Sequence, residues 1–190
     1  QMKTFLISLS VFLILLVQHV RTKNKQLQDQ IYYQNNYIID IKQQLHYIDS
    51  TRKHVWKHLP IGSPLQFTIL KSKFGNRRDP ITRRWSKHEG LDLKGTNKDT
   101  VYSTGAGVVK CARWNNGYGK CVIIDHMNGY KTLYAHLSKC LVTEGNYITD
   151  QHPIGKVGST GRSTGAHLHY EITYLNQHKD PINFIYLNLK

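Results

Sequence analysis

Hydrophobic and polar positions fall into three successive textures along the chain. Thr4 to Val20 is a nearly unbroken apolar run behind Lys3. At about 17 residues it sits at the short end of what crosses a bilayer as a helix. No small-x-small cleavage pattern occurs in Gln18-His19-Val20-Arg21-Thr22. Residues 1–22 therefore read as a retained membrane anchor rather than a cleaved signal segment. From 23 to 59 the pattern changes to a heptad seam: Leu27, Ile31, Ile38, Ile41, Leu45, Ile48, Val55 and Leu59, with Gln34 and Arg52 filling the gaps. The alternating four-three spacing, free of Gly and Pro until Pro60, predicts one long coiled-coil-like helix. Such a helix would either pair with a second copy over 27–59 or lie on its own domain.

Pro60, Gly62 and Pro64 stop the helical pattern. Beyond them come short β runs separated by Gly and Asn turns: Gly107–Trp114, Lys120–His126, Lys131–His136 and Ala166–Thr173. Residues 60–190 thus predict one mainly β domain built on an antiparallel sheet.

Charge narrows the class of partner. The 190 residues carry a formal net charge of +14, of which the stretch 51–90 holds roughly +8. That excess suits a polyanionic surface such as nucleic acid, anionic lipid or cell-wall polymer. No nucleic-acid reading motif accompanies it, and an apolar N-terminal segment argues against access to DNA, so no nucleic acid is expected. The three cysteines include no C-x-x-C pair. A hairpin centred near Asn116 would set Cys111 opposite Cys121, either as a disulfide or as two buried thiols.

Eleven histidines invite a search for metal chemistry. In His88-Glu89-Gly90-Leu91-Asp92 two good zinc ligands stand four apart, although Gly90 disfavours the helix of an H-E-x-x-H site. In His167-Leu168-His169-Tyr170-Glu171, strand alternation puts His167, His169 and Glu171 on one face and Leu168 and Tyr170 on the other. Two imidazoles and a carboxylate on one strand face are costly as core and make sense around an ion. Tyr134-Ala135-His136-Leu137 adds a histidine at a strand end. Gly161-Arg162-Ser163-Thr164-Gly165 matches G-x-S-x-G, but a strand-like segment follows it and no downstream Asp-then-His pair exists, which excludes a serine-hydrolase elbow.

The order of these pieces, with Phe74-Gly75-Asn76-Arg77-Arg78-Asp79-Pro80 ahead of them, resembles the M23 family of zinc peptidases, the lysostaphin-like or LytM-type cell-wall endopeptidases. The resemblance covers 72–184. It implies a groove domain in which His88, Asp92 and His169 hold one Zn2+ per chain and His136 and His167 are the unliganded catalytic pair. Glu171, Tyr134 and Arg77 would stand behind the ligands or line the substrate groove. Two histidines and a carboxylate leave a fourth position open, as a catalytic zinc requires. One free histidine would move the proton while the other steadies the oxyanion or the leaving amine. The implied activity is endopeptidase cleavage of peptidoglycan cross-links, at a D-alanyl–diaminopimelate bond or a glycine bridge. The implied location is the bacterial cell envelope, anchored in the inner membrane facing the periplasm, or exported. Some relatives of this family lose the ligands and regulate other hydrolases through a coiled coil; a non-catalytic regulator is the alternative reading.

Overall fold

The computed structural model describes residues 2–185, with side chains from Phe12 onward. The chain divides into two units, Gln1–Arg52 and Lys53–Lys190.

A single helix, α1 (Met2–His58), runs through the first unit and into the second. The backbone is helical throughout because nothing interrupts it before Pro60, and Lys57 and His58 in its last turn suit the negative end of the helix dipole. The expected anchor and heptad segment are therefore one continuous element. The seam residues Leu27, Ile31, Ile38, Leu45 and Ile48 are all exposed. Among the described residues no helix is long and apolar enough to cross a membrane. Much of the anchor expected at 1–22 falls on residues 1–11, whose side chains lie outside those described.

The second unit is built from strands β1 (Leu70–Ser72), β2 (Gly75–Arg78), β3 (Trp85–His88), β4 (Leu91–Lys94), β5 (Thr100–Tyr102), β6 (Gly107–Asn115), β7 (Gly119–Asp125), β8 (Tyr130–Leu137), β9 (Lys139–Cys140), β10 (Tyr147–Ile148), β11 (Pro153–Lys156), β12 (His167–Tyr174) and β13 (Gln177–Lys179). Its main sheet runs β1-β4-β12-β8-β7-β6-β10, with β13 also paired to β12, and its pairings are antiparallel. A three-stranded sheet (β5-β11-β9) and the β2–β3 hairpin complete it. This is the mainly β, antiparallel domain expected from the alternating runs.

The main sheet has two unlike faces. One carries Leu168, Tyr170 and Ile172 of β12, Tyr134 of β8, and Val122 and Ile124 of β7, all fully buried in the principal core. The other carries a small apolar cluster of Cys111, Cys121, Leu133 and Ala135, alongside the histidines of β12. Tyr134, expected behind the ligands or at the groove, is on the core face: its hydroxyl accepts from the Thr104 N–H at 3.0 Å and its ring packs on Tyr170. Its pairing with Tyr170 fixes this, since cross-strand partners share a face.

The β6–β7 connection turns about Gly117 rather than Asn116, with Asn115 paired to Gly119 and Arg113 to Cys121. Cys111 is consequently diagonal to Cys121. Their sulfurs lie 4.0 Å apart, and all three cysteines are free thiols. Burial, reinforced by Cys111, pushes the Cys121 thiol up to about 12.

Candidate active site

Three segments, the β2–β3 hairpin, β4 and β8, converge on the polar end of β12. The β2–β3 hairpin delivers His88, where His88 pairs with Gly75. A tight turn through Gly90 then leads into β4 and Asp92. A Cβ on Gly90 would collide with the Tyr170 carbonyl and crowd Glu171 and His169, so only glycine lets this turn lie against β12. Asp92 is paired with His169 across β4 and β12. On the other side of β12, Ala135 of β8 is paired with His169.

His136 reaches the same place by breaking the alternation. By period two it would share the core face with Tyr134. The register Lys120–Leu137 and Val122–Tyr134 leaves Cys121 opposite both Ala135 and His136, a two-against-one bulge. His136 takes a left-handed backbone with φ of 61°. The bulge turns its imidazole out beside His167, with ring centroids 4.8 Å apart.

His88, Asp92 and His169 are buried together, and each shows one donor atom to a common point. The His88 Nε2 to His169 Nδ1 distance is 3.1 Å, His88 Nε2 to Asp92 Oδ1 is 3.2 Å, and His169 Nδ1 to Asp92 Oδ1 is 3.0 Å. The remaining polar atoms of these three groups are already engaged. His88 Nδ1 donates to the Lys73 carbonyl at 2.7 Å, His169 Nε2 donates to Glu171 Oε1 at 2.8 Å, and Arg77 Nη2 donates to Asp92 Oδ2 at 3.2 Å. Glu171 also accepts from the Tyr118 hydroxyl at 2.8 Å.

This donor set fits zinc. Two imidazole nitrogens and a carboxylate oxygen are the ligand types of a catalytic site, and tetrahedral ligands at ~2.0–2.1 Å from the ion would lie about 3.3 Å apart. The charge balance points the same way. Burial alone would raise the Asp92 and Glu171 carboxyls, yet their hydrogen bonds to the histidines hold both below the ordinary carboxylate range. Burial opposes protonation of His169, but the flanking Asp92 and Glu171 push it up to about 9. Two buried carboxylates around one imidazole thus demand a positive charge, which a proton supplies without metal and a divalent cation would supply with it.

The pair His136 and His167 is arranged differently. His136 Nδ1 lies 2.8 Å from the Thr160 carbonyl and His167 Nδ1 lies 2.7 Å from the Gly165 carbonyl. A carbonyl only accepts, so each Nδ1 carries the hydrogen and each Nε2 presents a lone pair. Burial lowers both, His136 to about 4. Both imidazoles are therefore neutral bases at neutral pH.

These groups line a groove of about 710 Å³. It brings together His88, Asp92, His136, His167, His169, Glu171 and Arg77 but not Tyr134. It adds residues that the sequence reading did not assign to the site: Tyr118, Asp79 and Arg162. Arg162 Nη2 reaches Asp79 Oδ2 at 2.6 Å, tying the loop after β11 to the β2–β3 hairpin. Asp79 is held down at about 2, chiefly by the Thr82 N–H. Asp79 and Arg162 stand inside the quoted motifs, but only the fold shows that they meet.

Comparison with known proteins agrees with this geometry. The model of Peptidase family M23 matches residues 86–181. The DD-carboxypeptidase/endopeptidase Mpg of Neisseria meningitidis is 43% identical over 120 residues, 63% of this chain and 28% of that protein. The peptidoglycan DD-endopeptidase ShyC of Vibrio cholerae is 39% identical over 122 residues, 64% of this chain and 28% of that protein. The chain thus spans about a quarter of the length of these curated relatives. A solved zinc-containing peptidase from Vibrio cholerae superposes with a TM-score of 0.58 at 33% identity, covering 71% of this chain and 40% of that one.

Proposed function

Because this chain belongs to peptidase family M23, we propose that it is a zinc-dependent endopeptidase that hydrolyses peptide cross-links of peptidoglycan. The observation that carries the reading is the convergence of His88 Nε2, Asp92 Oδ1 and His169 Nδ1 in a groove that also presents two neutral imidazoles. These three atoms would hold one zinc ion per chain, which when bound polarises a scissile carbonyl and activates water.

The chain's own residues supply the rest. Arg77 fixes the second Asp92 oxygen, and Glu171 fixes the His169 tautomer that frees Nδ1. One of His136 and His167 takes the proton from the attacking water at its Nε2. The imidazolium so formed steadies the developing oxyanion through its Nε2–H and hands that proton to the leaving amine, while the other imidazole steadies the leaving amine by accepting its N–H at Nε2. Backbone carbonyls behind both rings keep the Nε2 atoms turned to the groove. A purely regulatory role lacks support, since the ligand set is complete.

We assign the protein to the bacterial cell envelope. The apolar run after Lys3 supports an anchor in the inner membrane or an export segment, and the exposed heptad seam supports pairing of two copies through 27–59. Mass spectrometry of muropeptides after incubation with zinc-loaded protein tests the activity. Cross-linked dimers are expected to become monomers, with one zinc per chain by elemental analysis. His88→Ala is expected to lower the rate at least about a hundredfold. Intact dimers after treatment would refute the assignment.

A further inference from the structure

A second cavity, of about 600 Å³, adjoins the groove. Lys71 lines both. Ala166 lines the second cavity, while the next residue, His167, lines the first. The β4 residue paired with His167 is Lys94, which also belongs to the second cavity. The two spaces thus share Lys71 and adjoin beside the His167 end of the catalytic pair.

The lining of the second cavity is part apolar and part cationic. Of its apolar lining, Leu65 is buried and Phe67 has 67% of its surface exposed. Lys71, Lys94 and Lys98 surround it, and among the described residues their ammonium groups make no ion pair. The single acid of the lining, Asp99, is turned into its own loop, where it accepts from the Thr96 N–H at 2.6 Å and the Thr96 hydroxyl at 3.0 Å. Lys156 adds positive charge nearby through its bonds to the Lys98 carbonyl and Thr100 hydroxyl. Three unpaired lysines against one committed carboxylate form an attractive field for anions. The apolar part of the lining suits the aliphatic part of a peptide.

We propose that this cavity is an anionic-peptide subsite that binds a free carboxylate on the strand flanking the scissile bond. The inference rests on the reading of the groove as a wall-peptide site and deepens it. It selects stem peptides carrying side-chain or terminal carboxylates over a neutral glycine bridge. Lys94 and Lys98 are specificity-determining residues that are neither metal ligands nor members of the catalytic pair, and both are exposed.

The test uses two fluorescent cross-linked peptides, one with free carboxylates and one with those carboxylates amidated. Binding is read by anisotropy in the full zinc-loaded chain carrying His136→Ala, so that peptide is not consumed. Lys94→Glu with Lys98→Glu is expected to weaken binding of the free-carboxylate peptide about tenfold or more, and of the amidated peptide less than about twofold. Lys94→Gln with Lys98→Gln should act in the same direction and guards against a folding defect from the reversed charges. In the otherwise wild-type chain the same changes should raise KM on the free-carboxylate peptide with kcat within about twofold. Equal affinity of the unsubstituted subsite for both peptides, or equal loss on both, overturns the subsite. Cleavage of both peptides alike with no effect of the lysines would sink this inference and leave the peptidase standing. Charge-selective binding without any cleavage would do the reverse.

Discussion

Glu171 accepts the Nε2–H of His169 at 2.8 Å, two residues along the same strand face. That contact decides which nitrogen of His169 faces His88 and Asp92. Glu171→Gln keeps the shape but can present an amide N–H to Nε2 and stabilise the wrong tautomer. Zinc affinity is expected to fall about 10- to 100-fold, read by competition with a chelator of known strength. Tyr118→Phe removes only the 2.8 Å bond to Glu171 and should cost less. An unchanged affinity in Glu171→Gln would show that the tautomer is set elsewhere.

His126 makes the stability of the β unit sensitive to acid. It is fully buried, with Nδ1 donating to the Ala106 carbonyl at 2.8 Å and Nε2 accepting from the Thr132 hydroxyl at 3.0 Å. Burial lowers its folded pKa below the ordinary 6.5. The unfolded chain therefore takes up the proton first as pH falls. Its contribution is complete above about 6.5 and is lost as pH drops from there through the lowered folded value. His169 has the opposite sign in the metal-free protein. Its folded value of about 9 gives a contribution that is complete below about 6.5 and lost as pH rises through about 9. Thermal unfolding in chelator should show both limbs. His126→Gln should make the acid limb shallower, with His136 and His167 still contributing to it, and leave the alkaline one; an unaltered acid limb would contradict this.

What the sequence showed of this site follows from periodicity. His167, His169 and Glu171 were legible because a strand alternates faces with a fixed period of two, and that period survives in β12. His88 and Asp92 were legible as ligand types, but the Gly90 turn that makes them meet depends on the nearness of Tyr170. The same alternation rule fails at His136, because a bulge is a mismatch between two strands and leaves no mark on either alone. Tyr134 beside it, expected behind the ligands or at the groove, lies in the core. The Tyr118–Glu171 contact joins residues 53 apart and needed the fold before it could be read. Cys111 and Cys121 missed direct opposition because the turn centre moved by one residue.

The backbone at His136 should be measurably strained. Its φ of 61° is cheap for glycine and costs a side chain with a Cβ about 1 kcal/mol or more. His136→Ala and His136→Gly both remove the imidazole and its bond to Thr160, so their difference isolates the Cβ. The glycine variant should be the more stable by about 1 kcal/mol in denaturant unfolding, while both lose most activity. Equal stability, or a more stable alanine, would mean that the bulge relaxes when the ring is gone.

The loop after β11 is held by a glycine-on-glycine contact, and a methyl group placed there should act at a distance on His136. A Cβ on Gly161 would collide with the Gly119 nitrogen, and one on Gly119 would collide with Thr160 and Gly161; both residues have positive φ, 71° and 64°. The obstacles are backbone atoms, so no side-chain rotation relieves them. Gly161→Ala must push the loop away from β7, weakening the Arg162 N–H bond to the Gly117 carbonyl and moving the Thr160 carbonyl that fixes His136. The substitution should destabilise the domain by about 2 kcal/mol and lower kcat more than it raises KM. Zinc affinity should stay within about twofold, because His88, Asp92 and His169 sit on other strands and lose no partner. Loss of zinc in parallel with kcat would show instead that the loop and the ligand set rearrange as one body.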